Sequence, residues 1–361
     1  MIKYISLLAL TLSISTQANA SSYFDIKEQI SQKYNLKLGL NTSITNFYTS
    51  KNHITKEFYT PYLYKTLFNT KKQQGTLNFS FNYVRFSPTT PLNTSSTLGI
   101  ANLFDSYDTN YNELYELYYA HTIKLPYTIE LGVGQIPVSK FDTITRSPLQ
   151  IQHFNNNSLY QNGSFTYPTA GLGSYVSIDN NKDFAITLGS IDATNPLAQG
   201  IHTKNLDKLK FSSFLSLNYY PKIKNKYQSS YSILIYDKPN VPKAPTTSRG
   251  LSISLFQDIS TNKSVFFKYN TSNGDYSIIK NSYSFGYIQR TSPNSSLGVG
   301  YSINKINTSN AIHKHEEVLE AYYEYNLNPT ISITPDVEIY TRPAYKSSKE
   351  TIFSLTLTLG I

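Results

Sequence analysis

Apolar and polar residues alternate one by one through much of this chain. At its C-terminal end Phe353, Leu355, Leu357, Leu359 and Ile361 are apolar, with Ser354, Thr356, Thr358 and Gly360 between them. Upstream, Ile331, Ile333, Val337 and Ile339 alternate with Ser332, Thr334, Asp336, Glu338 and Tyr340. Leu319, Ala321, Tyr323, Tyr325 and Leu327 do the same with Glu320, Tyr322, Glu324 and Asn326. The pattern recurs at Leu77/Phe79/Phe81/Tyr83, Tyr115/Leu117/Tyr119, Val265/Phe267/Tyr269 and Leu297/Val299/Tyr301/Ile303. Successive strand side chains point to opposite faces, so each segment predicts a strand with one greasy and one wet face.

Strands of this kind build either a soluble sandwich or a transmembrane barrel, and the connections separate the two. Working back from the C-terminus, brief turns near 328–329, 291–296, 259–263, 222–226, 179–183, 124–127 and 69–75 alternate with longer polar stretches. The long stretches fall near 341–350, 305–315, 270–281, 237–250, 191–209, 136–170, 87–111 and 49–56. Short turns at one end and long loops at the other are the habit of bacterial outer-membrane barrels. The spacing therefore predicts an all-β fold over residues 34–361, a transmembrane antiparallel β-barrel of sixteen strands. A bilayer offers no water to unpaired backbone groups, so strands that cross it must close on themselves. Residues 21–33 do not alternate; Phe24, Ile26 and Ile30 predict a short helix or arm at the periplasmic mouth.

The beginning of the chain reads as an export signal, residues 1–20. Lys3 supplies a basic start, Tyr4 to Ile14 is an apolar run broken only by hydroxyl residues, and Ala18-Asn19-Ala20 is a small-x-small cleavage pattern. No later run approaches the roughly 20 apolar residues of a spanning helix. There is no Cys, which excludes a disulfide scaffold or thiolate zinc site. The 32 Tyr residues suit a membrane interface, where a ring with one polar tip is at home. The formal charge of +9 is scattered rather than gathered into a stripe, which argues against a nucleic-acid partner. The expected surroundings are outer-membrane lipid and lipopolysaccharide, with the barrel-assembly machinery as a partner in biogenesis and a homo-oligomer as an open alternative. The terminal strand resembles the signal that machinery reads, although Ile361 stands where an aromatic residue is usual.

A barrel of about sixteen strands encloses water, so its chemistry belongs to the wet face and to any loop folded inside. The alternation places Glu116, Tyr118 and Lys124 inward, Glu130 on the next strand, and Glu320, Glu324, Asp336, Glu338, Tyr340 and Arg342 near the C-terminus. The longest loop, 136–170, carries Asp142, Arg146, His153 and Phe154. Long loops in compact structures are often functional, and this one is expected to enter and narrow the lumen. There Asp142 and Arg146 would meet wall carboxylates such as Glu116 in a polar constriction able to bind hydroxylated solutes. No Gly-x-Ser-x-Gly is present, and His313-Lys314-His315-Glu316 lacks the spacing of a helical zinc site. Neither an enzyme nor a cofactor is expected. An adhesive or structural barrel and a non-selective channel remain open on these residues alone.

The stretch Glu320-Ala321-Tyr322-Tyr323, Leu327-Asn328-Pro329, Ile333-Thr334-Pro335-Asp336-Val337-Glu338 and Pro343 resembles the closing signature of the carbohydrate-selective porins, the OprB family. Glu116-Leu117-Tyr118-Tyr119, Leu131-Gly132-Val133-Gly134-Gln135 and Phe141-Asp142 are similar to that family's strand pair and the start of its inner loop. Tyr167-Pro168, Gly171-Leu172-Gly173 and Asp192 to Pro196 follow in the family's order. The resemblance implies a sixteen-stranded barrel admitting sugars by passive diffusion, with Arg and Glu at the constriction. It makes Glu116 the wall carboxylate and Arg85 and Arg146 the candidate arginines. The chain departs from the family in having no Trp.

Overall fold

The computed structural model describes residues 20–142, 153–164, 169–194, 199–201, 203, 208–223, 227–241, 247–274 and 277–360. The expected export signal, Arg146 and most of the segment around it lie outside the described residues. The first described element is a helix, α1 (Ala20–Tyr34). Sixteen long strands follow. They are β1 (Leu36–Tyr48), β2 (His53–Asn69), β3 (Gln73–Ser87), β4 (Tyr111–Lys124), β5 (Thr128–Pro137), β6 (Ala170–Asp179), β7 (Phe184–Asp192) and β8 (Phe211–Tyr219) in the first half. The second half comprises β9 (Tyr227–Lys238), β10 (Ser248–Asp258), β11 (Lys263–Ser272), β12 (Ile279–Ser292), β13 (Ser295–Ile306), β14 (His315–Asn328), β15 (Ile331–Tyr340) and β16 (Glu350–Gly360). A two-residue piece, Lys222–Ile223, extends the turn between β8 and β9.

Each strand pairs antiparallel with its neighbour in sequence, and β1 closes the sheet on β16 from Asn41↔Gly360 to Tyr48↔Phe353. The result is the closed sixteen-stranded barrel that the alternation predicts. Closure leaves no edge with unpaired backbone groups, the condition for crossing a bilayer with strands. No helix among the described residues is long and apolar enough to cross.

The two faces differ as the period of two requires. Leu131, Val133, Leu188, Ile233, Ile235, Phe267, Phe285, Leu319, Tyr323, Phe353, Leu355 and Leu357 all point outward and are exposed. A soluble protein would bury such rows; here they form the apolar belt that lipid covers. The intervening residues, among them Ser252, Ser254, Ser282, Ser284, Ser302 and Asn304, face the interior and are buried. Small wall residues make room for large ones: a Cβ at Gly132 would lie within 2.0 Å of the Tyr175 ring, and one at Gly298 within 2.1 Å of Tyr322. Each pair sits at cross-strand positions, Gly132↔Tyr175 and Gly298↔Tyr322.

Strict alternation fails in one functional place. Between β3 and β4 the register jumps from Ser80↔Glu116 to Phe81↔Leu114, leaving Tyr115 as an extra, bulged residue. Below the bulge Glu116 and Tyr118 face inward; above it Glu113 does, accepting a hydrogen bond from Asn82 at 3.1 Å and one from Thr169 at 2.7 Å. Tyr115, grouped by the alternation with the outward residues, instead donates to Ser139 on the loop after β5 at 3.1 Å.

Candidate functional site: a slot between two inserted loops

Two loops, rather than the single one expected, fold back into the lumen. The first, residues 88–110, joins β3 to β4 and carries the helix α2 (Pro91–Leu98). Thr90 caps that helix by accepting from the Asn93 N–H, Pro91 occupies its first turn, and Gly99 ends it with a φ of 72°. Leu98, Ile100 and Phe104 then pack on wall residues Phe47, Ile54, Val84, Val318, Tyr340 and Ile352. Burial of one such side chain is worth about 1.5–3 kcal/mol, so this loop has a core of its own. Glu316, on β14, fixes its far side by accepting N–H groups from Ala101 and Asn102, both at 2.7 Å, and from Ala344 at 2.9 Å.

The second inserted loop, residues 138–169, is described over 138–142, 153–164 and 169. Its start is anchored by Phe141, stacked on Phe214 with ring centroids 4.6 Å apart. Its tip is anchored by Phe154, which meets Tyr322 edge-on at 4.9 Å and Phe266 at 5.7 Å. Immediately after Phe154 the chain is tied to wall carboxylates. Glu320 accepts N–H groups from Asn155 at 2.6 Å and Asn156 at 3.1 Å. The Asn156 amide donates to Glu338 at 2.9 Å and to the Tyr340 hydroxyl at 2.8 Å. Asn156 also caps the single helical turn α3 (Asn157–Tyr160). Lys268 closes the other end of that turn, donating to the Leu159 carbonyl at 2.6 Å and the Gln161 carbonyl at 2.9 Å. The two loops meet where the Asn102 amide donates to Asn156 Oδ1 at 2.6 Å.

Between the described parts of the loops and the wall lies a slot of about 180 Å³ against β1, β2, β15 and β16. The strand side is a row of hydroxyls: Ser43, Thr45, Thr334, Thr356 and Thr358, with Thr45 and Thr356 hydrogen-bonded across the closing seam at 2.9 Å. The loop side is aromatic and amide-bearing, with Tyr107, Phe154, Asn155 and Tyr160 beside His153. One ion pair spans the two sides. Lys56 Nζ lies 2.7 Å from Asp105 Oδ2, and the ammonium also sits over the Tyr107 and Phe58 rings at 5.1 and 5.9 Å. Burial raises the Asp105 carboxyl above its ordinary range, with Lys56 opposing. Burial likewise holds the His153 imidazole below its ordinary range against the pull of Glu324, whose Oε1 lies 3.2 Å from Nε2.

Of the loop residues named from the sequence, His153 and Phe154 line this slot, whereas Glu116, Tyr118, Glu130, Asp142, Arg85, Glu320, Asp336, Glu338 and Arg342 do not; Arg146 lies outside the described residues. Glu116 faces the lumen lower on the wall, accepting from Tyr64 at 3.2 Å and Ser80 at 3.0 Å. Tyr118 and Glu130 lie under the root of the second loop, where Lys140 sits over the Tyr118 ring at 5.3 Å and 3.4 Å from Glu130 Oε1. Asp142 is buried in that loop. Glu320, Asp336 and Glu338 are buried in the wall beneath Asn155 and Asn156. Lys124, also placed inward by the alternation, donates to Asn69 at the short-turn end. Two placements are corrected outright. Arg85 is exposed on the outer face, opposite Glu57 and bonded to Tyr83. Arg342 lies two residues past the end of β15, and its guanidinium pairs with Glu317 at 3.2 Å on the outer side. Its parity is that of the wet face, but the backbone has left the strand by Thr341, whose N–H goes to the Glu317 carbonyl.

The slot residues were partly legible. Thr334, Thr356 and Thr358 fall on the wet face by parity, but a neutral hydroxyl carries no signal in sequence that sets it apart from any other wall residue. Asp105 and Tyr107 sit in a loop, where no periodicity reports the direction of a side chain.

Residues 208–360 match the family model described as carbohydrate-selective porin, OprB family. The protein is 29% identical over 283 residues to Porin AaxA of Chlamydia felis, which covers 76% of this chain and 63% of the relative. It is 26% identical over 299 residues to Porin AaxA of Chlamydia pneumoniae, covering 80% of this chain and 68% of the relative. The chain thus spans about two thirds of the length of these relatives. Among solved structures, the high pH structure of Pseudomonas putida OprB superposes with a TM-score of 0.75 over 94% of this chain and 97% of that one, at 11% identity. A Rhodopseudomonas blastica porin mutant aligns at a TM-score of 0.56 and 8% identity.

Proposed function

The chain carries the closing sequence signature and the barrel of the carbohydrate-selective porins, and from that premise we propose that it is an outer-membrane porin passing small hydrophilic solutes, carbohydrates foremost, down their gradient. Its short turns then face the periplasm and its long loops the outside, the arrangement of bacterial barrels. The work proposed is passage rather than chemistry, and what the slot offers is a wall.

The observation that carries this reading is the composition of that wall. Sugars present hydroxyls around their edge and C–H groups on their faces. Ser43, Thr45, Thr334, Thr356 and Thr358 give neutral donors and acceptors on one side, and Tyr107 and Tyr160 give aromatic rings on the other. A single hydrogen bond is worth about 0.5–1.5 kcal/mol net. A few such bonds, exchanged for water, hold a sugar weakly enough to leave again, as passage demands. The Lys56–Asp105 pair adds polarity without net charge.

The test is conductance of the folded protein in planar bilayers with mono- and oligosaccharides added. Stepwise channels whose current falls as oligosaccharide rises are the expected result. Channels indifferent to every sugar would leave a general porin, and folded protein that forms no channel would remove the pore.

A further inference from the structure

Three buried carboxylates stand together in the wall beneath the second inserted loop. Glu320 on β14 and Glu338 on β15 are directly opposite one another in the ladder, and Asp336 is opposite Tyr322, one inward position further on. Like charges placed opposite one another on a sheet destabilise it, and here ligand atoms from all three lie within 4.8 Å of one another. Glu320 has both oxygens engaged by backbone N–H groups of the loop. Glu338 has one engaged, by Asn156 and Tyr340. The rest of the cluster is orphaned. Asp336 is 6% exposed, with the Asn155 amide and the Glu320 carboxyl beside it, yet neither of its oxygens receives a well-formed hydrogen bond, nor does the second oxygen of Glu338. A buried carboxylate without partners is costly, and three such oxygens within one cluster of carboxylates mark a place for something positive.

The cation that acts on Glu320 is Lys268, and its ammonium is turned to the Leu159 and Gln161 carbonyls. Among the described residues no Arg or Lys pairs with Asp336 or Glu338. We propose that Asp336, Glu338 and Glu320 form a binding site for one divalent cation, Ca²⁺ by its chemistry. The donors are all hard carboxylate oxygens, the set that Ca²⁺ and Mg²⁺ take. Oxygens on opposite sides of a Ca²⁺ stand about 4.6–5.2 Å apart, against about 4.0–4.2 Å for Mg²⁺, which also demands a near-ideal octahedron. The ion cross-links β14 and β15 directly below Asn155 and Asn156, so it stiffens the wall on which the loop is seated. Thr334 and Asn155 line the slot next to this cluster, and the slot is the way in for the ion.

The experiment uses full-length mature protein refolded in detergent without lipopolysaccharide, which itself binds Ca²⁺. After EGTA and desalting, bound calcium is measured by mass spectrometry following equilibrium dialysis. Tb³⁺ luminescence excited through tyrosine supplies a second readout, since the Tyr340 hydroxyl lies 2.9 Å from Glu338. One Ca²⁺ per chain is expected in the wild type, displaced stoichiometrically by Tb³⁺ and lost in Asp336→Asn and in Glu338→Gln. The outer-face control Glu317→Gln keeps it. Folding of each variant is checked by its heat-modifiable migration, so failure of one to fold leaves the other to decide. A wild-type protein that binds no Ca²⁺, or variants that bind as much as the wild type, would overturn the site and show that protons neutralise the cluster. Either result leaves channel formation by the same samples as a separate measurement.

Discussion

The two sides of the lumen solve opposite problems. Along β10–β14 the wall is covered by the second inserted loop, and it meets that loop with charge and rings: Glu320, Lys268, Phe266 and Tyr322 are all buried beneath it. Where β1, β2, β15 and β16 border the slot, the wall presents hydroxyls, with its one Lys–Asp pair closed on itself. Charge is therefore used where backbone N–H groups must be satisfied, and hydroxyls line the slot through which passage of solute is proposed. In this barrel the wall carboxylates Glu316 and Glu320 serve as pegs for the inserted loops.

The largest expected effect comes from removing the peg shared by both loops. Asn156 makes four side-chain hydrogen bonds, to Glu338, Tyr340, Asn102 and Ser158, all within 3.1 Å. At about 0.5–1.5 kcal/mol each, Asn156→Ala weakens the seating of the loops by about 2–6 kcal/mol. Single-channel current should rise severalfold and become noisy, and the loop should open to protease from the outside. A current equal to that of the wild type would mean that the covered side does not depend on its polar pegs.

Next in size is the ion pair of the free side. Asp105→Asn leaves the Lys56 charge unbalanced in the slot. At about 8 Å and an effective dielectric of about 20, that charge acts on a passing ion with about 2 kcal/mol, before screening by salt. The reversal potential in a salt gradient should shift toward anions. The pH dependence has a definite sign. Because burial raises the Asp105 carboxyl, acid protonates it earlier than an ordinary aspartate, so the wild type should move toward anion preference as pH falls. Asp105→Asn should show that preference at neutral pH and lose this component of the pH response.

Smaller still is the loss of two hydroxyls. Thr45→Val with Thr356→Val keeps shape and charge and removes the seam hydrogen bond together with two groups facing the slot. Conductance of salt should stay the same. Block by sugar should weaken by up to about tenfold, the equivalent of about 1.4 kcal/mol, or one good hydrogen bond. Unchanged block would detach sugar recognition from the hydroxyl wall.

The barrel was legible because a period of two is written into every strand, and closure follows from the absence of any other way to satisfy strand edges in lipid. The site was less so, for reasons that particular residues show. Parity reports which way Glu320 and Glu338 point, and it is silent on Asn155 and Asn156, which take up their oxygens from 164 or more residues away. It fails at Tyr115, where one inserted residue turns the wall. It had nothing to say of residues 88–110, whose Leu98, Ile100 and Phe104 form an inward core without a strand pattern.

Arg85 and Arg342 provide the mildest and most pointed check. The resemblance to the carbohydrate-selective porins implies arginine at the constriction, with Arg85 a candidate, and parity put Arg342 on the wet face; either reading would make the residue a determinant of current. Their positions argue otherwise: Arg85 lies on the outer face with Tyr83 and Glu57, and Arg342 is half exposed and paired with Glu317 outside the wall. Exposed pairs of this kind contribute little to stability and nothing to a field focused inside a lumen. Arg85→Ala and Arg342→Ala should therefore leave conductance, ion preference and sugar block within error of the wild type. An effect from either as large as that of Asp105→Asn would erase the distinction between the free slot and the rest of the barrel, because charge outside the wall would then govern what passes within it.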